Sequence, residues 1–179
     1  MTTPRLRPLA DTSPALWLAK ELSADERTIG AFVPLSYPSF VQVSFARPDL
    51  RRPMGDIDPS IAAELAGVLR SFTGTPESCF FASWEGYAGP FTGEPTITFP
   101  PERGMHVFAG SIDDAARKLD DQLPLRWWPQ DHAWCVGGYM YGSSLYVGGS
   151  TDATAAILGN HLLDARPVDV NHERLDEYE

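Results

Sequence analysis

His132 and Cys135 stand three positions apart in the segment RWWPQDHAWCV, with Asp131 beside them. Those residue types suggest a cysteine nucleophile with its base, a thiol–imidazole pair, or half of a zinc site. Each reading meets a requirement that the sequence leaves unfilled. Residues three apart on a strand face opposite sides of the sheet, so the pair cooperates only if His132 precedes the strand. Structural zinc takes four ligands in two close pairs, and there is no second close pair. A nucleophilic thiol needs an electropositive pocket, and catalytic partners usually gather from separate segments. The chain has no G-x-S-x-G elbow, no phosphate loop with its lysine and no G-x-G-x-x-G. Gly148-Gly149-Ser150 offers backbone amides to an anion, or serves as a plain strand-to-helix turn. No catalytic residue, metal ligand or cofactor is assigned on these grounds.

A second constellation is aromatic. Trp84, Glu85 and Tyr87 lie in SCFFASWEGY, and Trp127, Trp128, Asp131 and His132 lie in the tryptophan-rich stretch. Aromatic rings with a polar rim suit a binding surface or a small-molecule pocket. The same rings also suit a plug between sheet and helices, with indole N–H groups donating to Asp131 or Glu85. Trp127 and Trp128 are adjacent, so on an extended segment they face opposite ways.

The elements that must position these residues are legible in part. PALWLAKEL (14–22) reads as a short helix with Ser13 as N-cap, Pro14 at its first position and an apolar face of Ala15, Leu16, Ala19 and Leu22. FVQVSF alternates as a strand that points Val41, Val43 and Phe45 one way. RPDLRRPMGDID (47–58) reads as a loop whose paired arginines either bind an anion or stay solvated. Asp58 caps a helix with Pro59 at its first position and a stripe of Ile61, Leu65, Val68 or Leu69, and Phe72. CFFASWEGY, PTITFP and GMHVFA read as strands, the second an edge strand between prolines. Ser111 caps a helix expected to run on through Leu119 and Leu123. Ala133–Tyr141 and Ser144–Val147 form a hairpin, and Gly148-Gly149 breaks the strand before a helix capped by Ser150 or Thr151. Gly159-Asn160 interrupts or ends that helix in a left-handed cap, and RPVDV (166–170) makes a last edge strand. The order predicts α+β: a mainly antiparallel sheet of five or six strands, with two or three helices on one face. The expected division is an arm and short helix over 1–28, one domain over 29–170 and an acidic tail over 171–179.

SCFFASWEGY, LRWWPQDHAWCV and LYVGGS before a helix, with IGAFVP near residue 29, resemble a family of uncharacterised actinobacterial proteins. That family is marked by WEG, WWP-x-D-x-AWCV and YVGGS segments, and the likeness runs from about residue 29 to residue 170. The resemblance implies no activity. Two departures stand out: His132 takes a place where arginine is usual, and Gly137–Tyr141 replaces a stretch that often holds carboxylates.

Charge narrows the partners. The 179 residues carry a net charge of −10, and nineteen Asp/Glu against seven Lys/Arg fall after residue 52. Such a chain repels phosphate, which argues against nucleic acid. No apolar run approaches the ~18 residues that span a bilayer, and the N-terminus has no apolar core of a secretory signal. Cys79 and Cys135 read as reduced, buried thiols of a cytoplasmic protein. The leading expectation is a non-enzymatic protein-binding domain, immunity- or antitoxin-like, that meets a basic partner through its acidic surface and the tryptophan-rich patch. The alternative is a small hydrolase or ligand-binding enzyme with an aromatic pocket around His132 and Glu85.

Overall fold

A computed structural model describes residues 6–45, 56–87, 93–119 and 122–170. The paired arginines of the 47–58 loop and the acidic tail from residue 171 lie outside the described residues. Among the described residues, nine strands form a single sheet. They are β1 (Arg7–Pro8), β2 (Ser39–Ser44), β3 (Cys79–Trp84), β4 (Ile97–Phe99), β5 (Arg103–Gly110), β6 (Arg126–Pro129), β7 (Cys135–Gly138), β8 (Ser144–Gly149) and β9 (Asp164–Pro167). Their order is β1-β5-β3-β6-β7-β8-β2-β9, with β4 also on β5, and every pairing is antiparallel. The sheet is thus antiparallel as expected and larger than the five or six strands expected. The additional strands are short, and a two-residue strand such as β1 carries no alternation to read.

The described residues also form three α-helices: α1 (Leu16–Glu21), α2 (Pro59–Leu69) and α3 (Thr151–Leu158). None among the described residues is long and apolar enough to cross a membrane. In α2, Pro59 fills the first turn and the Asp58 carboxylate accepts the Ser60 N–H at 2.9 Å, which satisfies an amide the helix leaves unpaired. In α3, the Ser150 hydroxyl accepts the Ala153 N–H at 3.1 Å. Gly148 and Gly149 do not break β8 but complete it, paired to Phe40 and Ser39. Gly159 ends α3 in a right-handed conformation, not a left-handed cap.

The helices lie on both faces, which corrects the one-sided expectation. Alternate residues of each strand fall into two separate cores. Phe81, Trp127, Val136 and Val147 join Leu65, Leu69 and Ile157 of α2 and α3. Ala82, Trp128, Cys135 and Tyr146 join Leu18 of α1 and Ile29–Val33 on the opposite face. α1 turns Leu18 inward between Ala15 and Leu22 and leaves Leu16 outside, because a 3-10 turn over Ser13–Ala15 precedes it and shifts the phase. The helix expected after Ser111 is only a 3-10 turn, Ile112–Ala116. A capping box between Ser111 and Asp114 closes it, and Arg117 turns back to Asp114 at 3.2 Å in an extended conformation.

Candidate functional site

β6 carries the tryptophan pair through the middle of the sheet. Both rings are buried, Trp127 at 1% exposure and Trp128 at 0%, one on each face. Trp127 meets Trp134 edge-to-face at 5.4 Å, and the Trp134 indole N–H donates to the Leu69 carbonyl at 3.1 Å. Trp128 sits between Phe80 at 6.1 Å and the edge of Trp17 at 6.3 Å. Neither Trp127 nor Trp128 forms part of an exposed patch. A sheet covered on both sides buries both members of an adjacent pair, and the indole partner is a backbone carbonyl instead of Asp131 or Glu85.

Asp131 and His132 lie in the connection from β6 to β7. Asp131 accepts the Thr73 hydroxyl at 2.8 Å and the Ala133 N–H at 3.1 Å on one oxygen, and the Gly74 N–H at 2.8 Å on the other. Partial burial raises its pKa, but these bonds, with Thr75, outweigh it and hold the carboxyl below its usual range. Asp131 therefore ties this turn to the segment after α2. His132 adopts a left-handed conformation, φ 56°, with its N–H on the Pro129 carbonyl at 3.0 Å. Its ring stacks on Trp17 at 3.9 Å, with 17° between the planes. The Tyr37 hydroxyl donates to the His132 carbonyl at 2.8 Å. Partial burial lowers the imidazole pKa, and Asp131 and Glu21 oppose that shift more weakly. Stacking, not a histidine–carboxylate hydrogen bond, is what holds this ring.

Trp84, Glu85 and Tyr87 lie elsewhere. β3 and β6 run antiparallel with Cys79 opposite Pro129, so the His132 turn adjoins the start of β3 while Trp84 ends it. Six strand residues separate the two places by about 17 Å. A single pocket around His132 and Glu85 is therefore not formed. At the far end, Trp84 is half-buried, Tyr87 meets it edge-on at 5.5 Å, and the Arg103 guanidinium lies over its ring at 5.8 Å. Arg103 pairs with Glu26 at 3.0 Å, and Glu85 is exposed over Gly104. Burial, then Tyr141, pushes the Tyr87 phenol up to about 12.

Arg126 was not singled out in the sequence, yet it is 6% exposed. Its Nη1 donates to the Ala31 and Phe32 carbonyls at 2.8 and 3.2 Å, and its guanidinium lies 5.4 Å from the Phe99 ring centre. Burial pushes its pKa down to about 10. It anchors the Ile29–Ala31 turn by its free carbonyls, the end of a helical turn that favours a cation. Beside it, Gly137 leaves room for the Phe32 carbonyl, which a Cβ would strike.

Both cysteines are buried free thiols, as expected from the sequence. They sit in opposite cores, and burial first of all pushes each up to about 12, which leaves neither with thiolate character at neutral pH. A groove of about 760 Å³ lies beside the His132 turn. Leu9, Pro14 and Phe80 give it apolar walls, Gln130 and Arg7 a polar lining, and Asp11 and Glu77 acidic groups. Only the aromatic character of CFFASW hinted at Phe80; the N-terminal wall had no sequence signal. Among the described residues, no group of three or more His, Cys, Asp or Glu is placed to hold a metal ion. Comparison with family models, curated proteins and solved structures gives no match to this chain.

Proposed function

We propose that this chain is a non-enzymatic, cytoplasmic binding domain for a protein with a basic surface, in the manner of an immunity or antitoxin-like factor. The observation that carries the reading is charge: 24 Asp and Glu against 14 Lys and Arg, with the acidic excess after residue 52. Such a field speeds encounter with a cationic surface and disfavours phosphate. The groove beside Gln130 is the contact site in this reading, since it sets Asp11 and Glu77 beside the apolar walls of Leu9, Pro14 and Phe80. Trp128 supports it from beneath, packed on Phe80.

The test begins with a partner captured on the full chain in its own cells and purified separately. Calorimetry at ~50 and ~200 mM salt should show affinity falling with salt, and Asp11→Lys should weaken binding at least about tenfold. An acidic partner, salt-independent affinity or an unaffected variant would sink the reading. A small-molecule ligand in the same groove is the second reading, favoured by a volume within the usual ~300–1,000 Å³ of such sites. Native mass spectrometry of the gently purified chain separates the two, because a bound ligand adds a few hundred daltons.

A further inference from the structure

One row of side chains crosses the sheet beneath the groove beside Gln130. Arg7 of β1 pairs with Ala109 of β5, Ala109 with Phe80 of β3, and Phe80 with Trp128 of β6. Directly opposed residues on neighbouring strands project to the same face, so these four stand side by side. Three are large and one is a methyl group. Adjacent strands lie ~4.8 Å apart, so the backbones of Arg7 and Phe80 are about 10 Å apart with only Ala109 between them. On its other flank Phe80 rests on Trp128 at 6.1 Å, and the edge of Trp17 backs Trp128 at 6.3 Å. Trp17 in turn stacks on His132. A run of packed aromatics thus braces Phe80 from the side away from Ala109.

The gap has the width of one flat ring. Aromatic pairs pack with centroids ~4.5–7 Å apart, and a guanidinium lies within ~6 Å of a ring it covers. A ring inserted over Ala109 meets Phe80 on one face and Arg7 on the other at about half of the ~10 Å spacing, inside both ranges. An aliphatic group of the same size gains nothing from Arg7, and a cation there meets a like charge. Leu9 and Pro14 add apolar walls, while Ser78, Gln130 and Asp11 bring acceptors for an indole N–H or a phenol O–H. Every residue that lines this groove lies within the described residues.

We infer that the gap over Ala109 seats an aromatic side chain of the basic partner, held between Phe80 and Arg7. The inference rests on the binding reading above and supplies that surface with its anchor. Acidic groups steer an encounter, but a ring buried in a central pocket carries most of the binding energy. Tryptophan and tyrosine fit best, because each offers a flat apolar body with a polar edge. The same geometry gives Arg7 a use. A cation beside Asp11 and Glu77 opposes attraction to a basic partner, yet it covers one face of an inserted ring.

Titration of the isotope-labelled full chain with N-acetyltryptophanamide, N-acetyltyrosinamide and N-acetylleucinamide, followed by nuclear magnetic resonance, reads the gap directly. The aromatic probes should shift the amide signals of Arg7, Phe80 and Ala109. They should bind with dissociation constants of ~1–10 mM, at least about threefold tighter than the leucine probe. Ala109→Leu fills the gap and should weaken both aromatic probes at least about tenfold, and Arg7→Gln should weaken them about twofold or more. Circular dichroism of each variant confirms the fold. Against the captured partner, Ala109→Leu should raise the dissociation constant at least about tenfold at both salt concentrations. Aromatic probes that bind no tighter than leucine, shift signals elsewhere or ignore Ala109→Leu overturn the inference. Salt-dependent partner binding that Ala109→Leu leaves intact also overturns it, while the acidic-surface reading stands. Ring binding by a chain that takes no basic partner overturns the assignment to a partner's side chain and marks a site for a free aromatic ligand.

Discussion

The two faces of this sheet bury similar side chains and treat polar atoms differently. Under α2 and α3, the Trp134 indole has its carbonyl acceptor, and the buried Asp58 and Asp114 cap helical turns. On the face covered by α1 and Ile29–Val33, six buried side-chain atoms have no hydrogen-bonding partner among the described residues. They are Trp17 Nε1, Gln42 Oε1, Tyr87 Oη, Arg103 Nε, Arg126 Nε and Trp128 Nε1. Each costs about 1–3 kcal/mol relative to a satisfied group. Helices satisfy their own backbone and offer a regular apolar stripe. A cover of short turns leaves gaps and relies on a buried arginine to hold its carbonyls. The helical face reads as the stabilising one, and polar groups without partners tend to collect where a fold is adapted to a task.

The adjacent tryptophans give the most direct way to break this comparison. Trp127→Ala and Trp128→Ala should each cost about 3–5 kcal/mol by chemical denaturation, since both rings are fully buried. The phenylalanine variants separate the faces. Trp134→Phe strands the Leu69 carbonyl and should lose about 1–3 kcal/mol more than Trp128→Phe, which removes an indole N–H that bonds to nothing. Equal losses would mean that the two faces do not differ as described.

The thiols, one in each core, sharpen the comparison through pH. Each is raised from 9.0 to about 12, chiefly by burial. A thiol that ionises more readily when unfolded stabilises the fold fully below pH 9, and that contribution is lost as pH rises toward 12. Stability should therefore fall above pH 9 by at most about 1.4 kcal/mol per unit for each thiol. The buried Tyr87 phenol acts in the same direction from 10 upward. Arg126 acts the other way, because its lowered pKa makes the unfolded state the better proton acceptor above pH 10. Replacing both cysteines by alanine should flatten the decline in denaturation curves collected between pH 8 and 11. An unchanged slope would show that the thiols ionise in the folded chain as in the unfolded one.

This contrast also explains what could be read from the sequence. The helical face announces itself: Asp58-Pro59 before a periodic stripe, Ser150 before α3 and the alternation of FVQVSF each carry a local physical signal. The Ser111 turn carried the same capping signal but stopped early, since a cap specifies where a helix begins and not how far it runs. On the other face the decisive contacts are remote in sequence. Arg126 holds carbonyls of residues 31 and 32, and Gly137 is small because Phe32 passes over it. Neither appears as a pattern in a neighbourhood of ten residues. The candidate residues divided for a similar reason. Asp131 and His132 adjoin Trp128 in sequence and end beside the start of β3, whereas Trp84 and Glu85 reach the opposite end because β3 runs antiparallel to β6. An antiparallel register separates motifs that a reading of residue types alone groups together.

The smallest expected effect lies at the rim of the less regular face, where His132 stacks on Trp17 at 3.9 Å. Partial burial lowers the imidazole pKa below its ordinary 6.5, so the fold favours the neutral ring. The sign follows: the folded chain binds fewer protons than the unfolded one, the stabilising contribution is present above pH 6.5, and it is lost as pH falls through the lowered pKa. A protonated imidazole in contact with an indole also quenches its fluorescence. Acidification should therefore dim the Trp17 contribution with a midpoint below 6.5, and His132→Gln should remove that step while leaving the denaturation midpoint at pH 7.5 nearly unchanged. A midpoint above 6.5 would mean that Asp131 and Glu21, which favour the charged ring, outweigh burial. The stack would then act as a cationic contact across the end of α1 and not as an apolar seal.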